Sequence, residues 1–310
     1  METLCANDGS DLKPALLITG ASGLLGHPLC RLAREQWRVH AVYRNNIPQL
    51  DGLVAIQRDL TETSCPEELL DTVRPQAVIH AAAAAQVAEC QAHSQQTERI
   101  NVAVPARLAQ LCADRRIPLV HISSDLVFDG TRAPYDEQAQ PAPFCVYSDQ
   151  KVRAEKAVLK NHSTALICRL PLLFGWAPHI RNNFSVQMLT AIAHGRPLRL
   201  FADEYRTPVD TVSAAQGILT VLGRAQGLLH LGGQTRISRY DLGLMMAAAM
   251  QATTEMIVAA SIWDGDLPYK RASDCSLVSQ RAYALGYHPA ALELAVQQTV
   301  ACYRNLYNPM

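Results

Sequence analysis

Ser124, Tyr147 and Lys151 are the residues whose types and spacing best suit proton transfer to a carbonyl group. Tyr147 and Lys151 are four positions apart at the start of a segment, residues 147–159, that is rich in helix formers, so both side chains face one side of a helix. A phenol placed there donates a proton to a carbonyl oxygen, and a neighbouring ammonium lowers its pKa from about 10 towards working pH. Ser124 follows the apolar run 118–122, so Ser123, Ser124 and Asp125 are expected at the carboxyl end of a strand. That is where open α/β sheets bind ligands. A tyrosine and a lysine four apart also occur on ordinary solvated helices, so the weight of the pattern comes from what precedes it.

The preceding elements are those of a dinucleotide site. Residues 15–19 read as a buried strand, followed at once by Gly20, Ser22, Gly23, Leu24, Leu25 and Gly26 and by a helix over residues 24–36. Gly20 permits a tight turn, Gly23 lets a pyrophosphate approach the backbone at the helix N-terminus, and Gly26 lets the helix pack on the sheet. A second strand, 37–43, ends at Arg44 with no acid beside it, which favours a 2′-phosphate and hence NADP over NAD; an arginine after a strand is also a common solvated residue. A third strand, 53–57, leads to Asp59 and Leu60, which either meet an adenine ring or, in the case of Asp59, cap the helix beginning near Pro66. A fourth strand, 77–80, runs into Ala81, Ala82 and Ala83, small residues that let backbone pass close to a nicotinamide ribose or simply pack a helix tightly.

Residues 86–112 read as a long helical region in which Pro105 starts a new helix, with Asn101 as a buried polar tie. Strands and helices alternating through the fifth strand predict an α/β fold, a Rossmann-type doubly wound parallel sheet. A sixth strand, 164–169, leads to Pro171 and Gly175, beyond which the alternation becomes irregular. We expect a loose tail over residues 1–13, a dinucleotide-binding domain over 14–175 to which a strand at 227–231 returns, and a smaller, interleaved substrate-binding lobe over 176–310. The methionines at 245, 246 and 250 read as core packing, and residues 292–307 as a terminal helix.

The 310 residues carry 28 basic and 28 acidic side chains, 18% of them charged, which gives no electrostatic case for nucleic acid or an acidic membrane surface. The nine cysteines are scattered singly and odd in number, so neither a metal site nor a disulfide framework is expected. No signal-peptide pattern opens the chain and no apolar run reaches the roughly 20 residues of a membrane span, so we expect a cytoplasmic protein.

Taken together, Gly20, Gly23 and Gly26, Asp59 and Leu60, the alanine run, Ser123 and Ser124, and Tyr147 with Lys151 resemble an extended short-chain dehydrogenase/reductase over the first 175 residues. Residues 122–130, Tyr135 with Asp136 and Glu137, Asn183 with Phe184, and residues 203–208 are similar to dTDP-4-dehydrorhamnose reductases. That resemblance implies reduction of a keto group on a nucleotide-linked deoxysugar with a nicotinamide cofactor. It makes Ser124, Tyr147 and Lys151 catalytic and adds Pro171 to the cofactor site. It puts Asp125, Leu126, Asn183 and Arg206 on the substrate side, although Arg206 also suits a surface ion pair. Residues 169–175 and 155–159 also resemble the regulatory β subunit of methionine adenosyltransferase, which implies a catalytically idle dinucleotide-binding partner of another enzyme. A homodimer is the other assembly expected. Leu126 stands where the reductase pattern has tyrosine, and Ser148 where it has glycine, which leaves the sugar open.

Overall fold

The protein is described here by a computed structural model, which covers residues 13–177, 180, 183–264 and 269–307. The expected N-terminal tail, apart from Lys13, lies outside the described residues.

The first half of the chain alternates strictly. β1 (Ala15–Thr19) leads through the glycine turn into α1 (Gly26–Ala33), β2 (Arg38–Tyr43), β3 (Val54–Gln57), α2 (Cys65–Val73) and β4 (Ala77–His80). α1 is shorter than its apolar pattern predicts, because Leu25 is its N-cap and the chain leaves the helix at Arg34. The long helix expected over 86–112 is broken into α3 (Val87–Ala92), α4 (Ser94–Glu98), a wide π-helical segment at Arg99–Ala103, and α5 (Val104–Asp114). His93, with φ −131° and ψ 49°, makes the first break. The π segment turns Asn101 inwards, where its amide donates to Ala84 O (3.0 Å) and Gln150 Oε1 (2.8 Å) and accepts from Ala84 N (2.9 Å). Pro105 lies in the first turn of α5, where its missing N–H costs no helical bond.

β5 (Leu119–Ser124), α6 (Val146–Asn161) and β6 (Leu166–Leu170) follow. The remainder comprises β7 (Leu173–Phe174), α7 (Phe184–Ala193), β8 (Leu198–Phe201), β9 (Tyr205–Arg206), β10 (Val209–Asp210), α8 (Thr211–Val221), β11 (Gly227–His230), β12 (Ile237–Ser238), α9 (Arg239–Ala249), β13 (Ile257–Ala260), α10 (Gln280–Ala284) and α11 (Leu292–Tyr307).

Seven strands form one sheet in the order β11-β6-β5-β4-β1-β2-β3, with every pair parallel. This is the expected doubly wound Rossmann-type sheet. Its order reverses between β1 and β4, which opens a crevice at the carboxyl ends of those strands. β1 and β4 are buried along their whole length and read as unbroken apolar runs because helices cover both faces. Leu16 and Ile18 point to the face covered by α1 and α8, and Leu17 and Val78 to the face covered by α2, α5 and α6. The other strands form small pairs, β7 with β10, β9 with β12, and β8 with β13. Beside them a third core gathers Met188, Leu242, Met246, Val296 and Tyr303, with Met245 and Met250 packed at its edge, so the methionine stripe is core. Among the described residues no helix is long and apolar enough to cross a membrane, and no cluster of side chains suits a metal ion.

Candidate active site

The glycine turn is built by contact as much as by flexibility. Gly20 has φ +70°, and a Cβ on it would stand 2.7 Å from Ala82 N, where the chain leaving β4 passes. A Cβ on Gly26 would stand 2.0 Å from the Gly20 carbonyl, so α1 reaches the turn only because position 26 is glycine. At Gly23 an added Cβ would meet Gly20 O alone, at 3.1 Å, and otherwise open space. The turn therefore presents bare backbone to the crevice at the start of α1, a cradle that fits a pyrophosphate.

A cavity of about 460 Å³ occupies the crevice. Gly20, Gly23, Leu24, Leu25 and Gly26 line one wall, and Ala81, Ala83 and Pro171 stand on others. Ser22 and Ala82 belong to the same turns without lining the cavity; Ala82 N donates to Thr19 Oγ1 at 3.3 Å. Arg44 is exposed at the end of β2. Leu60 is buried, and Asp59 Oδ1 accepts from Thr61 Oγ1 (2.7 Å) and Thr61 N (2.9 Å). Those two bonds, the side-chain one first, hold the Asp59 carboxyl below its ordinary range. They also exclude Asp59 as the cap of α2, whose N-cap is Ser64.

Ser124, Tyr147 and Lys151 meet in this cavity. Ser124 ends β5, donates to Asp125 Oδ1 (3.1 Å) and accepts from Leu126 N (3.1 Å). Tyr147 and Lys151 come from the first turns of α6, which Ser148 anchors: its Oγ accepts from Phe144 N and Cys145 N, both at 2.9 Å. The serine that departs from the reductase pattern is thus the third helical residue of a capping box whose N-cap is Cys145. Lys151 is 3% exposed and donates from Nζ to Ile122 O at 2.7 Å. Burial lowers its pKa to about 8.

The expectation that Lys151 lowers the Tyr147 pKa is corrected. Burial raises the phenol's pKa above its ordinary value, a hydrogen bond with the Ser124 hydroxyl opposes the rise, and Asp125 adds to it. Desolvation dominates because Tyr147 is itself only 8% exposed, and it is the Ser124 hydroxyl rather than Lys151 that opposes it. The phenol is consequently protonated at neutral pH, the state a proton donor needs.

On the expected substrate side, Asp125, Leu126 and Arg206 line the cavity, and Asn183 does not. Asn183 caps α7, accepting from Val186 N (3.0 Å) and Ser185 Oγ (2.8 Å) and donating to Ile180 O (3.1 Å). Arg206 is no surface residue: at 4% exposure it pairs with Asp125 (3.3 Å) and Glu204 (3.1 Å). Glu204, 1% exposed, also holds Arg239 (2.9 Å) and Arg271 (2.7 Å). Burial pushes the Glu204 carboxyl up, but Arg239, Arg206 and Arg271 outweigh it and hold its pKa down. All four line the cavity, and sequence reading gave no site role to Glu204, Arg239 or Arg271. The signals were the charge density of residues 203–206 and the likeness of residues 203–208 to the reductases, without any sign of which cations would fold onto Glu204.

The parallel sheet, its glycine turn and the cavity at the reversal of strand order define a Rossmann-type protein. The model of the RmlD substrate binding domain matches residues 14–305, and the chain belongs to that family. It is 32% identical over 284 residues to the probable low-salt glycan biosynthesis reductase Agl14 of Haloferax volcanii, covering 89% of this chain and 94% of that protein. It is 27% identical over 242 residues to methionine adenosyltransferase 2 subunit beta of Xenopus laevis, covering 75% of this chain and 71% of the relative. Its fold matches that of dTDP-4-dehydrorhamnose reductase from Bacillus anthracis, solved in complex with NADP, with a TM-score of 0.82 at 21% identity. That match covers 93% of this chain and 99% of the other.

Proposed function

We propose that this chain is a nicotinamide-dependent reductase of the extended short-chain type that acts on the keto group of a nucleotide-linked sugar, with NADP favoured over NAD. The observation that carries the reading is the meeting of Ser124, Tyr147 and Lys151 in one cavity beside the glycine turn. The reductases among its relatives support the same chemistry. When bound, the nicotinamide supplies hydride to the carbonyl carbon.

The chain's own residues do the rest. Tyr147 donates its proton to the carbonyl oxygen and Ser124 hydrogen-bonds that oxygen, stabilising the charge that develops there. Lys151 binds the nicotinamide ribose. The turn at Gly20, Gly23 and Gly26 takes the pyrophosphate, Asp59 and Leu60 take the adenine, and Arg44 takes the 2′-phosphate. Asp125, Leu126 and Arg206 face the sugar, and the guanidinium cluster around Glu204 suits a substrate that carries phosphate. The test is NADPH oxidation on a panel of nucleotide-linked keto sugars, dTDP-4-keto-6-deoxy sugars first. Oxidation that is lost in Tyr147→Phe supports the reading, and its absence across the panel refutes it.

A second reading is favoured by the likeness to the methionine adenosyltransferase subunit. In it the chain binds the dinucleotide without turnover and regulates a partner enzyme. Co-purification of a stoichiometric partner, with no NADPH oxidation on any sugar, selects this alternative.

A further inference from the structure

One buried chain of polar groups lies behind the proton-transfer set and is not used by it. Glu155 stands one helical turn beyond Lys151 on α6 and is 4% exposed. Its Oε1 accepts from Ser123 Oγ (2.5 Å) and Arg169 Nε (2.9 Å), and its Oε2 accepts from Arg169 Nη2 (2.6 Å). Ser123 on β5 is the register partner of Arg169 on β6, and Arg169 that of His230 on β11. Arg169 is wholly buried, with its guanidinium 5.1 Å from the centre of the Phe128 ring. Its Nη1 donates to His230 Nε2 at 3.3 Å, which leaves the imidazole proton on Nδ1 to be donated to Tyr135 O at 3.2 Å. Burial, reinforced by Arg169, pushes His230 down to about 3, so the ring stays neutral and keeps accepting from the guanidinium. A single carboxylate thus ties α6 to β5 and β6 directly and to β11 through Arg169.

We infer that Glu155 is a positioning residue for Lys151: through Ser123 and Arg169 it fixes the height and rotation of α6 over the end of β5, and so the place of the lysine ammonium in the cavity. Lys151 Nζ bonds the carbonyl of Ile122, the residue immediately before Ser123, so the same helix and strand are fastened twice, one turn apart. Net stability does not account for the arrangement, because packed apolar side chains of similar volume stabilise a core as well as a buried ion pair does. Geometry does account for it, since a bidentate fork admits one orientation. The carboxylate also acts on the lysine electrically. Burial pulls the Lys151 ammonium down, and Glu155, then Cys90, oppose that pull. The remaining titratable groups near Lys151 on the underlying strands are His80 and His121, both pushed down by burial and therefore neutral. On its own helix Tyr147 is protonated.

The inference rests on Lys151 being the cofactor lysine of the proposed reductase, and the test separates the two. Glu155→Gln keeps the volume but removes the charge and leaves one accepting oxygen where the carboxylate has two, and Glu155→Leu with Arg169→Met replaces the pair by apolar groups. NADPH affinity, read by its fluorescence from about pH 6 to about pH 10, is compared with melting temperature for the wild type and both variants. In Glu155→Gln the alkaline fall in affinity moves about one pH unit lower, as expected for loss of a nearby opposite charge. The double variant melts at or above the wild-type temperature yet binds NADPH roughly tenfold more weakly, the scale of one misplaced charged hydrogen bond. Wild-type affinity and pH midpoint in the folded variants overturn the inference; if Glu155→Gln does not fold, the double variant decides. If the wild type binds no NADPH, the cofactor reading fails instead, and the Lys151 titration followed by heteronuclear NMR of labelled lysine decides. A Lys151 pKa unmoved by the loss of the Glu155 charge then overturns it.

Discussion

Asp125 and Arg206 form a buried ion pair across the cavity, Oδ2 to Nε 3.3 Å, with their side chains 4% and 5% exposed. The pair joins the turn after β5 to β9, so it ties the strand that ends at Ser124 to the segment that carries Glu204 and Arg206. Burial nevertheless dominates the aspartate: its pKa is raised to about 6, with Arg206 and the Ser124 hydroxyl only partly opposing.

That rise makes stability depend on pH with a definite sign. In the unfolded chain the carboxyl titrates near its reference value of about 3.9. The contribution of Asp125 is fully present below that pH and is lost as pH rises through the folded value of about 6. Asp125→Asn stays neutral throughout. Between about pH 4 and pH 7 the stability difference should therefore move in favour of the variant, by on the order of 2 kcal/mol. Urea unfolding of both proteins at the two ends of this range measures it, and a difference that does not move contradicts the assignment.

Two of the turn glycines separate folding from binding. An alanine methyl at position 26 would overlap the Gly20 carbonyl at 2.0 Å, whereas one at position 23 meets that carbonyl only at 3.1 Å. Gly26→Ala should lose about 2 kcal/mol or more of stability, because backbone on both sides must shift. Gly23→Ala should melt within a few degrees of the wild type but bind NADPH at least roughly tenfold more weakly, since the methyl takes the space the phosphates need. Thermal melts and fluorescence titrations of the two variants check the contrast.

At Lys151 the proposed function and stability oppose one another. Its pKa of about 8 lies below the unfolded reference of about 10.4, so the folded chain holds a disfavoured ammonium at neutral pH. The contribution of the neutral amine is fully present above the unfolded pKa and is lost as pH falls through about 8. Lys151→Met should therefore be more stable than the wild type at pH 7 by about 1 to 2 kcal/mol, after losing the bond to Ile122 O. The gain should shrink towards pH 10, and turnover should be absent at every pH. A Lys151→Met protein that melts lower than the wild type at pH 7 would contradict the direction of the shift.

What was legible in the sequence follows from which interactions are local. The strands of the main sheet could be read because burial on both faces leaves continuous apolar runs, and Tyr147 with Lys151 because a helix places residues four apart on one side. Within residues 86–112 the start of a helix at Pro105 and the burial of Asn101 were legible, but the break at His93 and the π segment at Arg99–Ala103 were not, since the partners of Asn101 at Ala84 and Gln150 are brought near only by the fold. The same holds for Glu204, one of whose arginines, Arg271, is 67 residues further along. The Tyr147 shift was misjudged for a related reason: the lysine is visible in the sequence, and the depth of burial is not. Asn183 is different, because an asparagine just before an apolar helical run is a recognisable N-cap, and that local signal was passed over for a substrate role.

Arg44 provides the test of cofactor preference. It is exposed at the end of β2, near enough to Asp59 to help hold that carboxyl down, and β2 ends at Tyr43, followed by Arg44 rather than by an acidic residue that would bind a free ribose hydroxyl. On the proposed reading a guanidinium there would contact a 2′-phosphate through charge-assisted hydrogen bonds that NADH cannot make. Arg44→Ala should weaken NADPH binding by roughly tenfold, about the worth of one such contact, and leave NADH binding within about twofold. Lower ionic strength should widen the gap between the two cofactors in the wild type, because an exposed charge pair is screened by salt, and should do so much less in the variant. Titrating both dinucleotides against both proteins at two salt concentrations measures all four effects. Equal losses for NADPH and NADH would assign Arg44 to the fold of the β2 end rather than to the phosphate.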